Sequence, residues 1–430
     1  MKSAREGYKM TELGEIPKDW SIKTINDLIK ENIIIDVMDG NHGEIHPKAS
    51  EYVDIGIPFI MANNLKNGKL DIEGCKFISY EQAKRLRKGF SVEGDVLLTH
   101  KGTLGETAIV PKLRDEYIML TPQVTYYRVS NNNVLINRYL KVYFDSKKYQ
   151  DKLKSFGSQS TRDYVGITEQ RKLSIILPTI EEQEKIASII STVDEQIDNV
   201  DALIEKNKEL KKGLMQTLLT KGIGHTKVKK TEIGEIPEEW EVKTFKDISK
   251  VSQGLQIAIE ERYKELKEGR LPYITIQYIN DKLNSDNKYF IENFSESVVC
   301  KEDDILMTRT GNTGIVVTNE IGVFHNNFFK VDFRRDLLNK DFLVWFLNTN
   351  LIQNLIIRYA GTTTIPDLKH GDFYKLPVVI PSLKEQEKIA SILSEVDEKI
   401  SKYKNKKQKL EELKKGLMQQ LLTGMIRVTV

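Results

Sequence analysis

Pro178-Thr179-Ile180-Glu181-Glu182-Gln183-Glu184-Lys185-Ile186-Ala187-Ser188-Ile189 returns 203 residues later as Pro381-Ser382-Leu383-Lys384-Glu385-Gln386-Glu387-Lys388-Ile389-Ala390-Ser391-Ile392. Each copy opens like a helix. Proline forbids helix upstream, and Thr179/Glu182 and Ser382/Glu385 have the spacing of a capping box. Behind the first cap, Ile186, Ile190, Val193, Ile197, Val200 and Ile204 step by four and three, the rhythm of a coiled-coil seam. Ile389, Leu393, Val396, Ile400 and Tyr403 repeat it. The stripe falters at Asn207 and Lys407, and Leu210, Leu214 and Leu218, with Leu413, Leu417 and Leu421, resume it. Two long helices pairing with each other are predicted; the alternative is two amphipathic helices packed separately on globular domains. Lys402, Lys404, Lys406, Lys407 and Lys409 make a solvated face that suits no domain core.

Beyond these helices the chain repeats almost end to end. Thr11-Glu12-Leu13-Gly14-Glu15-Ile16-Pro17-Lys18-Asp19-Trp20 returns as Thr231-Glu232-Ile233-Gly234-Glu235-Ile236-Pro237-Glu238-Glu239-Trp240, and Leu210 to Gln216 returns as Leu413 to Gln419. From Pro178 to Thr220, 26 of 43 positions equal their counterparts, whereas the globular parts have drifted. Strand-like runs at 95–99 and 124–129 lie among helical stretches at 135–144 and 340–347, bounded by Gly, Asn and Pro. The expected fold is α+β: two similar globular domains separated by two long helices packed as an antiparallel coiled coil, an internal pseudo-twofold repeat. The boundaries are 1–178, 179–224, 225–380 and 381–430, with 222–230 as an exposed linker. Trp20 and Trp240 read as core anchors. Gly213 and Gly416, which cost about 1 kcal/mol in a helix interior, suggest close helix packing.

Composition narrows the class. Of 430 residues, 65 are Lys or Arg and 62 Asp or Glu, a net charge of only +3. No apolar run reaches a membrane span, the start lacks a secretory stretch, and the two cysteines, Cys75 and Cys300, form no framework. A cytoplasmic setting is expected. No catalytic residue or metal site is read. The chain has no Walker loop, no dinucleotide fingerprint, no paired-cysteine zinc site and no Asn/Asp-Pro-Pro-Tyr/Phe tetrapeptide of amino-methyltransferases. His42-Gly43-Glu44-Ile45-His46 has its glutamate displaced from the H-E-x-x-H position and reads as a surface loop.

The duplicated Gly-Glu-Ile-Pro…Trp openings, the Pro-x-x-x-Glu-Gln-Glu-Lys-Ile-Ala helix starts and Leu-Lys-Lys-Gly-Leu-Met-Gln resemble the specificity (S) subunit of type I restriction–modification systems. The resemblance covers nearly the whole chain. The first copy departs at its close, reading Leu218-Leu219-Thr220-Lys221-Gly222 against Leu421-Leu422-Thr423-Gly424. The resemblance implies a non-catalytic subunit whose two target recognition domains read the halves of a bipartite site in double-stranded DNA. It implies helices that set the spacing and recruit two methyltransferase (M) subunits, with restriction (R) subunits joining. No cofactor is expected on this chain; S-adenosylmethionine and ATP belong to the partners. A coiled-coil scaffold without a DNA role and a single-chain modification enzyme are the competing classes. The first leaves the divergent inserts unexplained and the second lacks its motifs.

Lys and Arg number 27 against 23 acidic residues in 1–178, and 21 against 23 in 222–381, so a DNA face has to be a local patch. The candidates are polar loop residues in matching places. Thr99, His100, Lys101 and Thr103 match Thr308, Arg309, Thr310 and Asn312, with Arg309 suited to a guanine edge. Ser158, Gln159, Thr161 and Arg162 match Thr362, Thr363 and Thr364. Asn63, Asn64 and Lys66 match Gln277, Tyr278 and Asn280. About 40 helical residues give rods of roughly 60 Å, suited to half-sites centred about 34–36 Å apart.

Overall fold

The computed structural model describes residues 4–157, 164–282, 285–361 and 366–429. Two compact units emerge, Met1–Asp201 with Asn405–Val430, and Ala202–Lys404. Each therefore takes part of both long helices, Ile180–Lys221 and Leu383–Leu421. At 42 and 39 residues these are each about 60 Å long.

In unit 1, a four-stranded antiparallel sheet runs in the order Thr107–Ile109, Val96–Thr99, Val124–Val129, Ile34–Asp39. A second sheet orders Lys76–Ile78, Ile57–Ile60, Ile118–Leu120, Phe90–Ser91, its central pair parallel. The predicted run Val124–Val129 is a strand in full. Helices Asn137–Phe144 and Lys147–Gly157 cover one side of the first sheet, and Tyr127, Tyr139, Phe144 and Leu153 are wholly buried there. Ile186 and Ile190 from the start of the first long helix join the same core, together with Met418 and Leu421 from the end of the second. Each fully buried aliphatic side chain of this kind contributes about 1.5–3 kcal/mol.

Charge complements the antiparallel sense of the helix segments in unit 1. Residues 180–201 carry seven acidic side chains and one basic; residues 405–421 carry five basic and two acidic. Lys414 meets Asp194 at 2.7 Å and Lys407 meets Asp201 at 2.7 Å, so one helix ascends as the other descends. Lys407, where the apolar stripe falters, is therefore a pairing residue. In unit 2, Lys211 pairs with Asp397 and lies 4.7 Å from the Trp345 ring centre.

Unit 2 repeats the plan: Ser249–Gln253, Phe328–Phe333, Ile305–Thr308, Val316–Val317 in one sheet, and Phe290–Ile291, Leu271–Ile274, Gly322–Phe324, Val299–Cys300 in the other. Helix Lys340–Leu347 has the predicted limits. Ile389, Leu393, Leu219 and Trp240 share its core. Val193, Val200, Ile204, Val396 and Ile400 are buried as the seam requires, with Ile197 and Tyr403 half-buried.

The duplicated motifs acquire physical roles. The indole N–H of Trp20 donates to Glu182 at 2.7 Å, and that of Trp240 donates to Glu385 at 3.0 Å. Glu182 also takes part in the expected capping box with Thr179, through long bonds of 3.4 Å. Gln183 and Gln386 are fully buried. Gln183 bonds Ile136 N, Val134 O and Pro178 O, and Gln386 does the same with Asn339 N, Leu337 O and Pro381 O. Each glutamine thus rivets a long helix to its domain.

Three expectations need correction. Gly213 and Gly416 do not mark close packing: a Cβ on either meets nothing within 4 Å. Leu210 and Leu413 leave the stripe, each half exposed, because they fall on the outward side of their turns. The segment after Gly222 is not a free linker. Ile223 N–H and the His225 ring bond Glu385 at 2.9 Å, and Val228–Thr231 pairs with Gly234–Pro237. In unit 1 the corresponding place is filled by the tail, where Arg427 bonds Glu182 at 2.6 Å and Asp19 at 2.7 and 3.0 Å. Gly222 (φ +65°) and Gly424 (φ +67°) sit in these turns, where a Cβ would run into Glu385, His225 and Trp240 or into Pro17 and Trp20, so left-handed backbone and close approach both demand glycine.

Candidate DNA interface

Strand register gathers the candidate loops at one end of unit 1. Thr99 pairs with Val124, Thr125 with Asp39, and Leu120 with Ile60. The segments that follow Asp39, Ile60 and Thr99, and the one between Leu120 and Val124, therefore emerge side by side. A shallow groove there is lined by Asn63, Lys66, Asn67, Thr103 and Glu106, which brings two of the sequence clusters together. Asn63, Lys66 and Thr103 are exposed and Lys101 half-buried. Ser158, Gln159, Thr161 and Arg162, and Thr362, Thr363 and Thr364, lie outside the described residues. Their flank is tied to the same loop, because Lys101 bridges Tyr164 and Thr310 bridges Asp367.

Other candidates point inward, and hairpin chemistry explains why. The Thr99 hydroxyl accepts from Glu106 N at 2.9 Å and that of Thr308 from Ile315 N at 2.9 Å, closing the two hairpin loops. Both threonines are buried, as are Asn64, which accepts from Met61 N at 3.0 Å, and His100. These side chains serve turns, a competing use of short polar groups that spacing does not reveal. Tyr278 is half-buried against the unit 2 core, while Gln277, Asn280 and Asn312 are exposed.

His100 shares a 2.7 Å hydrogen bond with Thr125 through Nδ1 and packs on the Tyr164 ring, centroids 5.6 Å apart. Its Nε2 has no hydrogen-bond partner and lies 3.9 Å from Asp39 Oδ2. Burial pushes this imidazole down to about 4, so it is neutral at ordinary pH. The matching place in unit 2 holds Arg309, whose Nε and Nη2 grip Asp367 at 2.9–3.1 Å, with the Thr310 hydroxyl donating to the same carboxylate at 2.8 Å. Burial works against the Asp367 charge, but those donors hold its carboxyl below the ordinary range. Arg309 is thus half-buried and engaged within its own unit.

Sequence reading missed Asp39, Lys88 and Gln123. Asp39 is buried and bonds both Lys88 and His42, the latter at 2.8 Å. Burial opposes its charge, yet the lysine and the imidazole hold its carboxyl below the ordinary range. The result is two cationic or polar groups fixed at the rim of the loop end. Gln123 lies between the other loops, its side-chain oxygen 3.4 Å from Ala62 N. Asp39 and Lys88 lie 49 residues apart and no motif links them. Among the described residues no group of His, Cys, Asp or Glu is arranged to hold a metal, and no helix is long and apolar enough to cross a membrane.

The profile of the type I restriction modification DNA specificity domain matches residues 17–210 and again 237–412. The chain belongs to this family. It is similar to the type I restriction enzyme MjaVIII specificity subunit of Methanocaldococcus jannaschii, 26% identical over 441 residues, covering 98% of this chain and 96% of the relative. The MjaIX specificity subunit of that organism is 29% identical over 198 residues, 44% of this chain and 45% of the relative. In fold it resembles the crystal structure of the type-I restriction-modification system S subunit from M. genitalium, with TM-score 0.58, 17% identity, and coverage of 94% of this chain and 96% of that one. The first match lies mostly in unit 1 and the second mostly in unit 2.

Proposed function

We propose that this chain is the DNA-specificity subunit of a type I restriction–modification complex, each loop end reading one half of a bipartite site. One observation carries the reading: two frames of the same plan, repeated within a single chain of this family, present unlike polar loops at the same structural position. The chain itself performs no chemistry. S-adenosylmethionine and ATP are bound by its partners.

The two long helices act as the spacer and as the docking site for two M subunits, to which R subunits add. Leu210 with Gly213, and Leu413 with Gly416, support that assignment. Each pair leaves an exposed leucine one turn from a bare backbone, once per repeat, which suits a partner helix approaching closely at two equivalent places. Co-expression with the M subunit, followed by mapping methylated adenines across a genome, tests the function. A bipartite motif with an unread spacer is expected, and exchanging residues 20–177 for those of a relative should change one half only. Methyl transfer by the purified chain alone, or a change in both halves, would overturn it.

A further inference from the structure

The two loop ends occupy equivalent frames, so their side chains can be compared position by position. Register places Thr99 with Thr308, Asp39 with Gln253, and Ile60 with Ile274. Counting outward from these anchors, Lys66 corresponds to Asn280, Lys101 to Thr310, Thr103 to Asn312, and Pro122 to Asn326.

Unit 1 concentrates cations. Lys66 is exposed and Lys101 half-buried, and neither has an ion-pair partner among the described residues. Lys88 is paired with buried Asp39 and adds no free charge, as Arg309 adds none in unit 2. At the corresponding positions unit 2 has lost both free lysines and gained amides. Asn280 and Asn312 are exposed where unit 1 has Lys66 and Thr103, exposed Gln277 matches the Asn63 amide that unit 1 also presents, and a second amide group links Gln253, Asn326 and Gln256, with Asn326 donating to Gln256 at 3.1 Å and Gln253 donating to Asn326 O at 3.4 Å. Arg309 is neutralised by Asp367.

We infer that the two units read their half-sites with different chemistry: unit 1 with lysines, on guanine edges and phosphates, and unit 2 with side-chain amides, on A·T pairs. Lysine donates to the O6 and N7 acceptors of guanine, whereas an asparagine or glutamine amide matches the donor and acceptor of adenine N6 and N7. Free cations also release counterions from the duplex, and amides do not. Unit 1 therefore supplies more of the salt-sensitive grip. This rests on the functional reading above.

The test uses the chain co-expressed with its M subunit. Motifs are mapped for wild type, Gln277→Ala, Asn312→Ala, and the double variant Lys66→Gln/Lys101→Gln, and binding to the mapped site is titrated across salt. Lys66, Gln277 and Asn312 are exposed and Lys101 half-buried, and thermal unfolding of each variant checks that its fold is intact. The amide variants should relax an A·T position in one half-site by about tenfold, with the salt slope unchanged. The lysine double variant should relax a G·C position in the other half and flatten the slope of log K against log salt by about 1.8. Amide variants that leave the motif intact or relax a G·C pair, or a lysine variant with an unchanged slope, would overturn the division of labour alone. A wild-type complex that methylates no bipartite motif would instead defeat the functional reading.

Discussion

Gln386→Leu removes a buried side chain that bonds Asn339 N at 2.7 Å, Leu337 O at 2.8 Å and Pro381 O at 2.9 Å. Leucine fills much of the same space but answers none of those groups. A buried polar group left without a partner costs about 1–3 kcal/mol. One orphaned N–H and two carbonyls near a helix start, partly relieved by water, should cost unit 2 about 3–4 kcal/mol. Against a domain stability of about 5–15 kcal/mol, that is a large share. For a unit of about 200 residues it lowers Tm by roughly 6–16 °C, at about 2–4 °C per kcal/mol. Urea and thermal unfolding of the full chain, followed at the unit 2 transition, measure it. A loss under about 1 kcal/mol would refute the riveting role. Gln386→Glu sharpens the test. Its carboxylate accepts from Asn339 N–H but faces two carbonyl oxygens, so its folded pKa rises above the ordinary value of about 4.3. Stability is then near wild type below that pH and falls as the pH rises through the folded pKa. A pH-independent deficit would show that volume, not hydrogen bonding, matters at this position.

His100 titrates in the opposite sense: with its folded value down at about 4 against about 6.5 unfolded, unit 1 keeps full stability above about pH 6.5. It should lose up to about 3 kcal/mol as the pH falls towards 4, and urea midpoints at pH 7.5 and 5 should show that loss shrinking in His100→Gln. Gly213→Ala and Gly416→Ala, placed in open helix, should each stabilise the isolated chain by up to about 1 kcal/mol yet weaken M-subunit binding in a pull-down or calorimetric titration; unchanged M affinity would remove these patches from the docking surface. Arg427→Ala should destabilise unit 1 by about 1–3 kcal/mol, because buried Glu182 keeps only the Trp20 indole and the Thr179 cap as donors, and Glu182→Gln in the same background should recover part of the loss.

The duplicated frame is legible in the chain before it folds. A 203-residue echo of capping signals, an apolar 4-3 stripe and buried-strand runs are local or periodic signals, and helices and strands obey local rules. Helix Lys340–Leu347, strand Val124–Val129 and the apolar stripe that buries Ile186 and Ile190 in one core and Ile389 and Leu393 in the other were all legible for that reason. The candidate interface was legible only as a neighbourhood. Asn63, Lys66 and Thr103 do converge, whereas Asn64, Thr99, His100 and Thr308 turn inward, because a short polar side chain serves its own turn or faces outward according to hairpin geometry. Leu210 and Leu413 kept the spacing but not the face, since a helix of 3.6 residues per turn drifts from a strict heptad. No local rule pairs Asp39 with Lys88, Trp20 with Glu182, Trp240 with Glu385, or Arg309 with Asp367. Those partners lie 49 to 162 residues apart, and only the folded backbone brings them within hydrogen-bonding reach.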